Sequence, residues 1–204
     1  MRIRHTKYIL SVLTFPLYVY IIAFTISIII CVLLRIKRKL KLHESILYAL
    51  LAGYLSIVLF RTLLLREVNG VTRAQFIPFW SYFELAKGDR ETQYLGKEIL
   101  LNVMMLLPLG LVLACLGHRF WKTIMIGAWI SLAIEVIQFV SHRGLFEFDD
   151  IFHNVLGVII GNLAYFAASS LIRKYKKTRM SQMDARRKRY MKGERSEYDR
   201  GGDR

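Results

Sequence analysis

Trp121–Val140 reads WKTIMIGAWISLAIEVIQFV, Ser141–Asp150 reads SHRGLFEFDD, and Ile151–Ile172 reads IFHNVLGVIIGNLAYFAASSLI. Two long apolar runs thus flank a short polar connection. A bilayer hydrocarbon core of ~30 Å takes about 20 residues of helix at 1.5 Å rise each, so each run predicts a membrane-spanning helix. Outward toward the N-terminus lie three more such runs: Ile99–Leu116, Ile46–Leu65 with Arg61 inside it, and the uncharged Tyr8–Leu34. Backbone groups in hydrocarbon must be satisfied within the segment, which leaves helices or a closed barrel. Unbroken apolar runs exclude the barrel, whose short strands would alternate apolar and polar residues. The fold class that follows is all-α: a polytopic membrane helix bundle with about five transmembrane helices and a disordered basic C-terminal tail.

Composition divides along the chain in the same way. Apolar residues make up 54% of the 204, yet 30 Lys plus Arg face only 15 Asp plus Glu, for a net charge of +15. Residues 173–204 hold 13 of those cations and 5 of the acids. The chain therefore reads as a transmembrane domain, 1–172, and a basic tail, 173–204, expected to be disordered beyond about Met180. The N-terminal run is too long for a signal-peptide core and no small-x-small site ends it, so an uncleaved helix is expected. Cytoplasmic loops carry the excess of Lys and Arg. The connection Arg35–Ser45, the turn around Arg119 and Lys122, and the stretch Arg173–Lys192 hold 17 cations against 9 on the other face. That asymmetry predicts the N-terminus outside and the C-terminus inside a bacterial cytoplasmic membrane. Only the short basic head Met1–Lys7 pulls the other way. Cys31 and Cys115 then lie near cytoplasmic helix ends and read as reduced packing residues.

Each ionisable or amide side chain within a span costs about 2.5–3.5 kcal/mol at its centre, so each needs an account. In the expected topology Arg61, Asn102, Glu135 and Asn154 all fall about a turn to a turn and a half beneath the outer ends of their helices. Four helices deliver their polar residues to one depth. Glu135 and Gln138 share a helix face as i and i+3, and Asp150, Asn154, Gly157 and Gly161 share another. Gly157-x-x-x-Gly161 is a small-xxx-small pattern that lets a neighbouring helix approach closely. Asp149 and Asp150 open the last span, where carboxylates cap free N–H groups and meet the positive end of the helix dipole. The expected outer pocket comprises Arg61, Asn102, Glu135, Gln138, Arg143, Asp149, Asp150 and Asn154. The plainer alternative is that an Arg61–Glu135 pair and the two amides merely glue the bundle, at ~0.6 kcal/mol per interhelical bond.

Other chemistry is not legible. The sequence contains no phosphate-binding Gly-rich loop, no His-Glu-x-x-His and no Cys pair at metal spacing. His142 and His153 flank the acidic connection, but a metal is not expected there, nor is any cofactor. Ser141 and His142 are adjacent and face different ways on a helix, so they make no dyad. The run Arg186-Arg187-Lys188-Arg189 suits phosphates in general, but without a folded reader it points to anionic inner-leaflet lipids and not to nucleic acid.

At these residues the sequence resembles the VanZ-like family of small bacterial membrane proteins, named for teicoplanin resistance. The resemblance rests on Ile77-Pro78-Phe79, on Asn102 followed by Pro108-Leu109-Gly110, and on Glu135-x-x-Gln138. It continues through Asp149-Asp150 and Asn154-x-x-Gly157-x-x-x-Gly161, so that the motifs span residues 75–161. Arg143 stands before the acidic connection, near where the family carries an arginine. The resemblance implies helix-packing roles for Pro108, Gly110, Gly157 and Gly161, and a link to lowered susceptibility to lipid-bearing glycopeptides without an established reaction.

Two classes of function follow. The pocket binds a membrane lipid, a lipid-linked envelope molecule or a lipoglycopeptide, or it performs hydrolysis or transfer on such a molecule with Glu135 and Asp149/Asp150 as acid and base. No nucleophile with an adjacent base is legible, which favours binding. Ligand identity and oligomeric state stay open.

Overall fold

The computed structural model describes residues 17–36, 40–64, 74–88 and 92–201, with side chains described as far as Lys188. The head Met1–Lys7, the Tyr8 start of the first apolar run and the loop cations Lys37, Arg38, Lys39, Arg66, Arg73 and Arg90 lie outside the described residues. Among the described residues there are six α-helices: α1 Leu17–Ile36, α2 Leu42–Leu59, α3 Trp80–Ala86, α4 Thr92–Cys115, α5 Phe120–Val140 and α6 Phe148–Gly201. A π-helical turn, Phe60–Leu64, continues α2, and two short strands, β1 Ala74–Gln75 and β2 Phe146–Glu147, pair in parallel. Four segments are long and apolar enough to cross a membrane: Leu42–Leu63, Tyr94–Cys115, Phe120–Val140 and Phe148–Lys188. The first helix adds a shorter described apolar run, Ile21–Ile36.

The helix boundaries have local causes. At the start of α2 the Lys41 N–H donates to the Glu44 carboxylate, 2.9 Å away, which supplies the acidic half of a capping box. α4 ends where Gly117 turns left-handed at φ 79°, with the His118 N–H on the Leu113 carbonyl and the Gly117 N–H on the Ala114 carbonyl. This is a Schellman cap, in which glycine avoids the Cβ penalty. α5 ends on the same hydrogen-bond pattern: the Arg143 N–H donates to the Gln138 carbonyl and the His142 N–H to that of Phe139. Here the left-handed residue is His142, at φ 55°, a conformation costing roughly 1–2 kcal/mol for a residue with a Cβ.

The interior inverts the pattern of a water-soluble bundle. Trp129, Phe24 and Trp121 are exposed, while Ser45, Thr123, Ser131, Asn154 and Asn162 are buried. Outward-facing apolar side chains suit lipid, and small or polar residues between helices permit close backbone approach. A Cβ on Gly157 would run into the Val103 carbonyl oxygen, one on Gly161 into that of Leu107, and one on Gly110 into that of Val158. α4 and α6 therefore touch backbone to backbone. Val158 also fills the space over Gly127 of α5 and joins Leu51, Leu106, Leu109 and Leu113 in the apolar core. Pro108 sits inside α4, where it cannot donate to the preceding turn. The Tyr54 hydroxyl donates from α2 to the Met105 carbonyl of that turn, at 3.0 Å.

The chain divides into two compact units, Met1–Leu163 and Ala164–Arg204. In the second, where net charge alone predicts disorder beyond about Met180, the chain is helical to Gly201. Its composition explains this, since no Gly or Pro interrupts residues 163–192 and Lys, Arg, Met, Ala and Gln are good helix formers. Every described side chain from Leu171 to Lys188 is exposed. Several helices begin ahead of their apolar runs: α2 at Leu42, α4 at Thr92 and α6 at Phe148.

The close α4–α6 approach yields a prediction. Gly157→Ala forces extra volume onto the Val103 carbonyl and is expected to destabilise the protein by about 1–3 kcal/mol in thermal or denaturant unfolding in detergent. The exposed Ile160→Ala is expected to change it little.

Candidate functional site

The polar residues of the membrane helices meet at one end of the first unit. α2 leads into the π turn that carries Arg61 and Thr62, α4 delivers Asn102 from its middle, and α5 delivers Glu135 and Gln138 in its last two turns. α6 delivers Asp150 and Asn154 at its beginning. The Asn102 amide donates to Asp150 Oδ1 at 2.6 Å, joining α4 to α6. The Asn154 amide donates to Ser131 Oγ at 2.8 Å, joining α6 to α5. The Gln138 amide donates to the Thr62 carbonyl at 3.1 Å, joining α5 to α2.

Glu135 is only 2% exposed. Its Oε2 accepts the N–H of Glu147, 3.1 Å away, tying the buried acid to β2. Arg61 and Arg143 are half-buried, the first beside Thr62 and the second bonded through its backbone N–H to the Gln138 carbonyl. Glu135, Gln138, Asn154 and the Asn102–Asp150 pair thus each take part in a separate hydrogen bond between elements of the first unit. Two buried acceptors among these residues, Gln138 Oε1 and Asn154 Oδ1, have no hydrogen-bond partner among the described residues. An unsatisfied buried acceptor costs about 1–3 kcal/mol, which a donor group brought into the cluster would recover.

Asp149 departs from the expected arrangement. Sequence reasoning grouped it with Asp150 as a pair opening the last helix. Successive residues on a helix point about 100° apart, and the structure separates the two carboxylates accordingly. Asp149, 1% exposed, caps α3 instead of α6: it accepts the Phe79 N–H at 2.6 Å, the Ser81 N–H at 3.0 Å and the Ser81 hydroxyl at 2.5 Å. A carboxylate against the first turn of a helix meets free N–H groups and the positive end of the dipole. It also holds Phe79 left-handed at φ 61°. With three donors on its oxygens, Asp149 is a structural clasp, while Asp150 is bonded to Asn102.

The same corner contains residues that sequence reasoning left unassigned. His153, 1% exposed, shares a 2.9 Å hydrogen bond between its Nε2 and the Tyr82 hydroxyl, while its Nδ1 has no partner. Burial, and after it the Asp149 carboxylate, push the Tyr82 phenol above its ordinary value of 10.0. Ser131 lies four residues before Glu135 and seven before Gln138, a spacing that places all three on one helix face. Asn162 continues the stripe of Asn154 and Val158 at four-residue steps and is fully buried, with neither amide atom partnered. Ser81 carried no signal in the sequence, because its partner is 68 residues away. Among the described residues no group of three or more His, Cys, Asp or Glu side chains is placed to hold a metal ion.

Comparison with known proteins is confined to one finding. A family model described as VanZ/LLP1 matches residues 45–172, which include every side chain of the cluster. No curated protein and no solved structure matches the chain.

Two predictions follow from the clasp. Asp149→Ala removes charge-assisted hydrogen bonds of roughly 1.5–3 kcal/mol each, so amide hydrogen exchange at Phe79 and Ser81 is expected to rise about tenfold or more. In a spectrophotometric titration differenced against Tyr82→Phe, Tyr82 is expected to ionise above the usual tyrosine range. Asp149→Asn, by removing the carboxylate charge, is expected to bring that transition down.

Proposed function

The chain belongs to the VanZ/LLP1 family, and from that membership and the buried polar cluster we propose that it binds the polar part of a lipid-borne envelope molecule at the outer face of the bacterial cytoplasmic membrane. The observation that carries this reading is the pair of buried acceptors, Gln138 Oε1 and Asn154 Oδ1, without a hydrogen-bond partner among the described residues, together with the buried Glu135. Bundle glue alone is served by satisfied bonds, whereas acceptors left without donors suit a ligand rich in hydroxyl, amide or ammonium groups. Lipid headgroups, lipid-linked wall precursors and lipoglycopeptides all carry such groups.

In this reading Arg61 and Arg143, both half-buried, hold an anionic portion of the ligand, since guanidinium groups bind phosphate and carboxylate in a bidentate manner. Asp150, positioned by the Asn102 amide, and Glu135, positioned by the Glu147 N–H, accept hydrogen bonds from its sugar or peptide portion. Sequestering such a molecule at the membrane surface accounts for the glycopeptide-resistance link that the family name carries. The N-terminus lies outside and the C-terminus inside, and the basic helix from Arg173 onward rests against anionic inner-leaflet lipids at about 1 kcal/mol per cation near the surface.

Glu135→Gln and Asp150→Asn test the proposal. Each protein is purified in nanodiscs and titrated with teicoplanin and with a lipid-linked wall precursor, and each variant is compared with wild type in antibiotic-susceptibility assays at matched membrane abundance. Loss of one or two ligand hydrogen bonds is expected to weaken binding about tenfold, or ~1.4 kcal/mol, and to raise susceptibility. Unchanged binding and susceptibility at normal abundance would exclude the cluster as the ligand site. Turnover of the precursor, lost in Glu135→Gln, would assign catalysis to the same cluster.

A further inference from the structure

The connection between α2 and α4 contains exposed large apolar side chains where a loop in water would be polar. Phe76 is 67% exposed, Ile77 60% and Phe83 67%. Leaving a side chain of this size in water forfeits roughly 1.5–3 kcal/mol relative to burying it. α3 has seven residues, too few to cross a bilayer and too few to hold a helix by itself. On its polar side Ser81 is buried on Asp149, and the Tyr82 hydroxyl is bonded to His153. On its apolar side Leu85 lies near Gly96 of α4 and Phe79 meets Phe152 of α6, while Phe83 stays exposed.

We propose that the segment Phe76–Leu85 lies within the lipid–water interface, with its aromatic face immersed in lipid and its polar face fastened to the bundle by Asp149.

Continuity of surface favours lipid as the occupant. The Phe79 ring stands edge-on to Phe152, centroids 5.2 Å apart, and Phe152 lies partly exposed on the spanning helix α6. Phe76 packs on Phe146 at 5.5 Å, and Phe146 in turn meets Phe139 of α5. The exposed rings of the connection therefore pass into the outward surface of two helices long and apolar enough to span the membrane. Aromatic side chains of this kind concentrate where hydrocarbon gives way to headgroups. Backbone satisfaction makes the immersion affordable. Phe79 and Ser81 donate their N–H groups to Asp149, while Tyr82 and Phe83 donate theirs to the Phe79 carbonyl, so the first turn brings few bare donors into a region that cannot solvate them. The charged groups, Glu84 and Lys87, stand at the far end of α3 and pair with each other at 2.6 Å.

The inference is independent of what the polar cluster binds, and it is tested on the full-length chain. With Cys31 and Cys115 replaced by Ser, single cysteines at Phe76, Phe83, Lys87 and the lipid-facing Trp129 are labelled with an environment-sensitive fluorophore in nanodiscs holding one copy each. Labels at positions 76 and 83 are expected to emit at shorter wavelength than the label at 87 and to be quenched by nitroxide-bearing lipid, as at 129. Water-like, unquenched emission at 76 and 83 would overturn the proposal. So would burial that arises only when two copies share a disc, which would assign this face to a second copy of the chain. Adding Asp149→Ala is expected to abolish most of the quenching at 83 while leaving that at 129. Persistence at 83 would overturn the fastening role of Asp149, and the wild-type measurement stands by itself if the variant does not fold.

Discussion

One carboxylate constrains the corner of the molecule in which its polar residues gather. Asp149 is buried at the start of α6 and takes two backbone N–H groups and a hydroxyl from a helix nearly seventy residues earlier in the chain. An anion without water is costly, and here its charge is offset by three donors and by the positive end of a helix dipole. The bond fixes α3 against α6, brings Tyr82 within reach of His153, and sets β1 beside β2 so that Glu147 can donate its N–H to Glu135. A substitution that removed only the charge would leave those donors facing a buried, weaker acceptor.

The rest of the helical unit is organised by an absence of side chains. Three glycines, Gly110, Gly157 and Gly161, let α4 and α6 meet at their backbones, close enough for Asn102 to reach Asp150 across the interface. In lipid no hydrophobic force drives helices together, so shape and hydrogen bonding must do it. The α5 interface works differently: Ser131 and Gln138 supply polar contacts to α6 and to the end of α2, and Val158 packs over Gly127 between them. Buried amides with unused acceptors then stand at the same end as Glu135. This is a costly arrangement for a scaffold and a serviceable one for a receptor of polar groups.

Much of the fold was legible. Runs of about twenty apolar residues leave a backbone in hydrocarbon no choice but helix, and the segregation of charge marked the basic tail. The stripe Asp150, Asn154, Gly157, Gly161 announced the packing face of the last helix, because residues three and four apart lie one above another. The tail's helix follows intrinsic propensity, which net charge does not report: no Gly or Pro interrupts residues 163–192. The clasp was invisible. Ser81 and the N–H of Phe79 carry no periodicity, and nothing local identifies the residue that will receive them.

The sequence by itself determined that helices long and apolar enough to cross a membrane would form, since that depends only on the length of an apolar run and the rise per residue. Tertiary structure alone decided how neighbours divide the work: Asp150 toward Asn102, Asp149 toward α3, His153 toward Tyr82. Those assignments depend on which way each helix is rotated about its axis. That rotation is set by glycine contacts and cross-chain hydrogen bonds between residues far apart in sequence.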